Sequence, residues 1–157
     1  MRQNVRKEIG RISLLLLVLY GMIVLYFVLF SDRLGRADGY DSYRYNLVLF
    51  AEIRRFIRYR DQVSSGAFIL NMLGNLLVFV PIGFLIPLWK LKKTGFFEIL
   101  LYSFALSLLI ETLQLVTRVG VFDVDDLFLN TIGGVLGFVL FKITRLIFQS
   151  QKKRGTV

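Results

Sequence analysis

The sequence of 157 residues contains no cysteine and no histidine. Without cysteine the chain has no disulfide, no thiolate metal ligand and no thiol nucleophile. Without histidine it lacks the commonest general base and the commonest metal-binding side chain, which excludes His-dependent triads. Carboxylates, hydroxyls, amides and basic side chains therefore remain as the groups available for chemistry or binding, and we predict neither a cofactor nor a resident metal.

Charged residues are few and apolar residues many. Hydrophobic residues make up 55% of the chain, whereas a soluble domain contains roughly 45–50%. The net charge is +9, which on a soluble protein would suggest a nucleic-acid partner. On an apolar chain it fits loops retained in the cytoplasm and contact with anionic lipid. The composition thus predicts an integral membrane protein that does not bind nucleic acid.

Four apolar segments predict four membrane-spanning helices. About 20 apolar residues, rising 1.5 Å each, cross a hydrocarbon core of ~30 Å. The last segment reaches this length if Lys142 and Arg145 extend toward the headgroups. We therefore expect one all-α membrane domain over residues 1–157, a bundle of four transmembrane helices with basic tails at 1–11 and 149–157. The predicted spans are residues 12–30, 66–89, 96–117 and 127–148.

Basic residues predict the orientation of these spans. Lys and Arg are denser in residues 1–11, 90–98 and 142–157 than in the other loops, which places both termini in the cytoplasm.

The first outer loop has a pattern of its own over about 47–60, where Leu49, Ile53 and neighbouring apolar residues share one helical face opposite several arginines. This predicts an amphipathic helix at the bilayer interface, with packing on the bundle as the alternative.

Polar and small residues form one stripe on each of three predicted helices. Ionisable groups in a membrane cost at least ~2.5–3.5 kcal/mol and normally face the bundle interior. The simplest arrangement therefore turns the stripes toward one another. The stripes are Asn71, Gly74 and Asn75; Ser103, Ser107, Glu111, Gln114 and Arg118; and Asp126, Asn130, Gly133, Gly134 and Gly137.

The amides, acids and arginine of these stripes, together with Asp123 and Asp125, lie toward the outer leaflet in the predicted topology. This predicts a polar pocket open to the outside. A structural alternative remains, in which the acids cap a helix, Glu111 pairs with Arg118, and amides and glycines join helices; a divalent cation and an ion path are further alternatives. The candidate ligand-binding residues are Asn71, Asn75, Glu111, Gln114, Arg118, Asp123, Asp125, Asp126 and Asn130.

Residues 71–87 and 110–137 carry a distinctive pattern. Its features are Gly74-Asn75, Phe79-x-Pro81-x-Gly83, Glu111-x-x-Gln114, Arg118, Asp123-x-Asp125-Asp126, Asn130 and Gly133-Gly134-x-x-Gly137. These features resemble the VanZ-like family, although Leu49 stands where the family usually has proline. The resemblance implies a small multi-pass protein of the bacterial cytoplasmic membrane. The family's namesake is associated with low-level resistance to teicoplanin, a lipoglycopeptide, and the resemblance supplies no reaction.

Two functions fit the pattern and the resemblance. We favour a non-enzymatic protein whose pocket binds a lipid-linked envelope component or a lipoglycopeptide, contributing to teicoplanin resistance or envelope homeostasis. The amides would then bind a polar head and Arg118 a phosphate or carboxylate. The alternative is an intramembrane enzyme that uses Glu111 on a lipid-linked substrate, although no nucleophile motif accompanies it. The expected partners are membrane lipids, a lipid-linked precursor or the lipoglycopeptide, and the sequence assigns neither catalytic residues nor an oligomeric state.

Overall fold

The structure, a computed structural model, describes residues 2–30, 42–59, 65–90 and 94–154. Four of its helices, α1, α3, α4 and α5, are long and apolar enough to cross a membrane. This confirms the predicted all-α membrane bundle, and a short additional helix, α2, lies between the first and second of these long helices. The elements in chain order are α1 (Arg2–Phe30), β1 (Tyr45–Asn46), α2 (Ala51–Arg58), α3 (Ser65–Trp89), α4 (Phe96–Thr117), β2 (Phe122–Asp123) and α5 (Val124–Arg154).

Two of the long helices, α1 and α5, extend beyond the predicted spans because polar residues continue the helix outside the apolar segment. The helix α4 covers the predicted residues 96–117, whereas α1 and α5 extend into the basic tails, whose last residues, 155–157, lie outside the described part. The helix α2 is shorter than the predicted 47–60. The side chain of Asn46 accepts a hydrogen bond from the Val48 N–H at 3.1 Å, which turns the chain before α2 begins, and residue 60 is not among those described.

Glycines bring α3 and α5 into close parallel contact. A methyl group added at Gly83 would overlap the carbonyl of Gly134, and one at Gly137 would overlap the carbonyl of Val80. Such an approach of two backbones is the known use of small residues between membrane helices. The helix α1 also packs against α3, where the Tyr20 hydroxyl donates to the Val78 carbonyl at 2.8 Å.

The two strands lie at one end of the bundle, which we call the sheet end. They pair in parallel, with Tyr45 opposite Phe122 and Asn46 opposite Asp123. The helix α2 packs on the first turn of α3 at the same end, because the ring of Phe56 stacks on that of Phe68 with centroids 4.1 Å apart. The opposite end, where α1 begins and α5 ends, is called the termini end below. Which end faces the cytoplasm stays a prediction.

Candidate binding site at the sheet end

The polar stripe of α4 is buried. Ser103, Ser107, Glu111 and Gln114 are all buried, together with Ile99 and Ile110 of the same helix. The stripe meets α5, where the Asn130 amide nitrogen donates to the Ser107 hydroxyl at 2.9 Å. The hydrophobic spacing of α4 therefore turns its few polar groups toward a neighbouring helix, as the stripes predict.

Glu111 and Gln114 hold the connection between α4 and α5. Glu111 is 2% exposed, and its Oε2 accepts the backbone N–H of Asp123 at 2.9 Å. Gln114 packs beneath Gly120, where an added Cβ would come within 3.0 Å of the Gln114 amide nitrogen. A buried carboxyl that accepts a peptide N–H satisfies two polar groups at once. These contacts fix the turn that starts β2.

Asp123 and Asp125 attach the segment between β1 and α2 to the start of α5. Asp123 Oδ1 accepts the N–H of Asp125 at 2.8 Å, which caps the helix, and its two oxygens face the Asn46 amide at 3.1 and 3.2 Å. Asp125 is buried and accepts the N–H of Phe50. Negative charge is also favoured here by the helix dipole. The acids thus bind the segment before α2 to the end of the bundle.

A cavity of about 670 Å³ opens beside these contacts at the sheet end. Two arginines from different parts of the chain line it, one just before β1 and one on α2. The guanidinium of Arg118 lies close by, 4.6 Å from the centroid of the Tyr43 ring. We call this space the sheet-end cavity; its lining residues are Tyr43, Arg44, Tyr45, Asn46, Arg55, Val121 and Asp123.

The structure distributes the nine predicted residues unevenly. Glu111, Gln114, Asp123, Asp125 and Asn130 hold the end of the bundle together through the contacts above, and Asp123 alone of the nine also lines the cavity. Asp126 is half-buried, and Asn71 and Arg118 are exposed. The amide nitrogen of Asn75 is buried and has no hydrogen-bond partner in the described part of the chain.

Arg118 leaves the predicted stripe because α4 ends at Thr117. Its φ of 59° is left-handed, so its side chain no longer follows the helical spacing of Glu111 and Gln114. The arginine instead caps the helix through its N–H, which donates to the Leu115 carbonyl at 3.1 Å.

Sequence reasoning missed Arg44 and Arg55 as site residues. Arg55 belongs to the basic face of the predicted amphipathic helix, and that face was the available signal. Arg44 reaches the site because its carbonyl accepts the Phe122 N–H at 3.0 Å, a contact between distant parts of the chain. No local sequence pattern predicts this pairing.

The arrangement is suited to binding an anionic group. Guanidinium groups present planar pairs of N–H donors that match a phosphate or carboxylate, and the Asn46 side chain lies beside them. Among the described residues, no group of three or more Asp and Glu side chains is arranged to hold a metal ion. The acids instead accept hydrogen bonds from peptide N–H groups, as described above.

Comparisons with known proteins agree with this architecture. The sequence profile of the VanZ/LLP1 family matches residues 15–147. Protein VanZ of Enterococcus faecium is 29% identical over 143 residues, which cover 90% of this chain and 80% of that protein. No solved structure matches significantly. The match extends from the first span to the last, through α4, β2 and the start of α5, and the chain therefore belongs to the VanZ/LLP1 family.

Proposed function

We propose that this chain is a non-enzymatic membrane protein whose sheet-end cavity binds the anionic head of a lipid-linked envelope component or of a lipoglycopeptide. Through this binding it contributes to teicoplanin resistance or to envelope homeostasis. The observation that carries the proposal is that Arg44 and Arg55, which are separate in the chain, line one cavity of about 670 Å³.

The charges around the cavity favour an anion. The carboxylate of Asp123 also lines it, but its oxygens already accept hydrogen bonds from Asn46 and from the N–H of Asp125. Arg118 lies over Tyr43, itself a lining residue, and adds a third guanidinium nearby. A phosphate or carboxylate in this space would meet forked donors whose charge-assisted hydrogen bonds are the strong ones.

The position of the cavity favours a ligand with an apolar tail. The candidate span of α4 ends at Thr117 and that of α5 begins at Val124. The lining residue Val121 lies between these two span ends in the chain. Tyr43 and Tyr45 are exposed there, and tyrosine is enriched at membrane–water interfaces. A molecule whose tail lies in the bilayer would present its polar head at this depth. Both the lipid-linked precursor and the lipoglycopeptide combine a polar head with an apolar tail.

The geometry supports binding better than carboxylate catalysis. Glu111, the residue on which the enzymatic alternative depends, is 2% exposed and accepts the Asp123 N–H. It is not among the residues that line the cavity. A general acid or base must reach the proton it transfers, so Glu111 is better placed to hold the turn than to act on a ligand in the cavity.

The proposal is tested by expressing variants in a teicoplanin-susceptible bacterial host and measuring the minimum inhibitory concentration. Arg55→Gln should lose the protection that the wild-type chain gives. Arg58→Gln is the matched control, because Arg58 lies in the same last turn of α2, is exposed and does not line the cavity. It should retain full protection.

Two results would oppose the proposal. If the wild-type chain protects no better than an empty vector, the resistance role fails. If Arg55→Gln and Arg58→Gln protect equally at equal membrane levels, the cavity does not carry the function. Immunoblotting of the membrane fraction supplies the expression control.

A further inference from the structure

A second and larger cavity lies at the termini end of the bundle. Its volume is about 1000 Å³, and its walls come from α1, α3 and α5 together with Lys90 and Thr94 from the connection between α3 and α4. Lys90 follows directly after the candidate span that ends at Trp89, and Thr94 precedes the one that begins at Phe96. The cavity therefore lies at the depth where the spans end and lipid headgroups begin.

The walls of this cavity combine cations with apolar surface. Among the described residues that line it, Arg6, Lys90, Lys142 and Arg145 are basic and none is acidic. Aromatic side chains form the deeper wall, where the rings of Phe84 and Phe141 meet edge to face at 6.1 Å. An amphiphile with an anionic head fits both features.

Lys90 is held by its neighbours on α4. Its Nζ contacts the carboxylate of Glu98 and donates to the Tyr102 hydroxyl at 2.9 Å. The hydrogen bond to Glu98 raises the pKa of Lys90 above its ordinary value, so this lysine is charged at neutral pH but paired. Two further basic residues that line the cavity lie on α5, where Lys142 is 5.0 Å from the centroid of the Phe138 ring and Arg145 is one turn further on.

A buried hydroxyl points to a ligand independently of charge. Thr94 lines the cavity and is 9% exposed. Its hydroxyl oxygen is buried and makes no hydrogen bond within the described part of the chain. Buried polar groups are nearly always paired, and a headgroup oxygen in the cavity would supply the missing partner.

We propose that the cavity at the termini end binds the phosphate headgroup of an anionic phospholipid, with Lys142 and Arg145 binding the phosphate and Thr94 a headgroup oxygen. The lipid's glycerol and upper acyl chain lie along the aromatic wall. This site is at the opposite end of the bundle from the sheet-end cavity, and it stands whether or not the function proposed above is correct.

The test uses the full chain purified in a zwitterionic detergent and native mass spectrometry to measure lipid affinity. The probes are phosphatidylglycerol, phosphatidylcholine with the same acyl chains, and inorganic phosphate. The variant is Lys142→Gln/Arg145→Gln. The control is Lys7→Gln/Arg11→Gln, which removes the same charge from exposed residues of α1 that do not line the cavity. Both altered residues on α5 are also exposed, so we expect unchanged melting temperatures.

Both the wild-type chain and the control variant should bind phosphatidylglycerol more tightly than phosphatidylcholine, and by the same factor. The α5 variant should bind phosphatidylglycerol about twenty-five-fold more weakly, since each of the two basic residues near an anionic lipid surface contributes roughly fivefold. Thr94→Val should also weaken binding, with both cations intact. Equal losses in the two double variants would overturn the proposal, as would equal binding of the two lipids. Competition by inorganic phosphate at matched concentration would overturn the assignment to a lipid.

Discussion

At the scale of single residues, Glu111 illustrates how a membrane helix accommodates an acid. The residue is 2% exposed in a largely apolar helix, where an unpaired polar group costs several kcal/mol. Its Oε2 accepts the peptide N–H of Asp123, so the acid and the turn after α4 satisfy each other. On this account Glu111 acts through the backbone that it holds.

Substitutions of Glu111 should separate hydrogen bonding from charge. Glu111→Gln keeps an acceptor oxygen and should change the free energy of unfolding by less than about 1 kcal/mol, whereas Glu111→Leu leaves the Asp123 N–H unpaired and should cost about 1–3 kcal/mol. Unfolding in mixed detergent micelles measures both. If Glu111→Gln is as stable as the wild type but no longer protects against teicoplanin, that result would contradict the structural role and favour the enzymatic alternative.

At the scale of the elements, the contact between α3 and α5 depends on glycine. Gly83 meets the backbone of Gly134, so an added methyl group has no flexible side chain to displace. Gly74 lies on the same helix with nothing within 4 Å of an added Cβ. The two positions therefore form a matched pair, in which helix propensity is alike and packing differs.

Gly83→Ala should destabilise the bundle by about 1–3 kcal/mol, because two backbones must separate. Gly74→Ala should be neutral or stabilising by up to about 1 kcal/mol, because alanine favours the helix. Unfolding of the two variants under identical micelle conditions measures the difference. Equal stabilities would show that α3 and α5 do not approach as closely as described.

The elements also show what periodicity predicts and where it stops. The spacing of Ser103, Ser107, Glu111 and Gln114 placed all four on one face of α4, and the structure buries all four. The same helical spacing wrongly placed Arg118 on this face, because the helix ends one residue earlier, at Thr117. Asn71 shares a face with Asn75 but is exposed. Periodicity gives a direction around a helix, whereas burial depends also on what packs beside each turn.

At the scale of the whole molecule, hydrophobic run lengths predicted the four spans because bilayer thickness fixes the length of a crossing helix. The sheet-end cavity was less accessible to sequence reasoning. Asn46 and Asp123, which meet there, are 77 residues apart, and two short strands leave almost no pattern. The acids were found as candidates, while Arg44 was missed because its position depends on that long-range pairing, and Arg55 was assigned only to the basic face of the predicted amphipathic helix.

The orientation of the molecule can be tested cleanly because the natural chain has no cysteine. Ser42→Cys at the sheet end and Ser150→Cys near the end of α5 introduce single thiols at exposed positions. In intact cells a membrane-impermeant maleimide should label the thiol at position 42, and the thiol at position 150 only after permeabilisation. The reverse pattern would invert the predicted topology and place the sheet-end cavity in the cytoplasm.

The central claim is that the arginines of the sheet-end cavity bind an anionic head. The most direct measurement is the dissociation constant of the purified chain in nanodiscs for fluorescent teicoplanin and for an undecaprenyl-linked peptidoglycan precursor. Arg55→Gln should weaken binding of the true ligand about tenfold to a hundredfold, since a hydrogen bond to a charged group contributes about 1.5–3 kcal/mol, while Arg58→Gln should leave it unchanged. Equal affinities for the two variants with both ligands would contradict the claim.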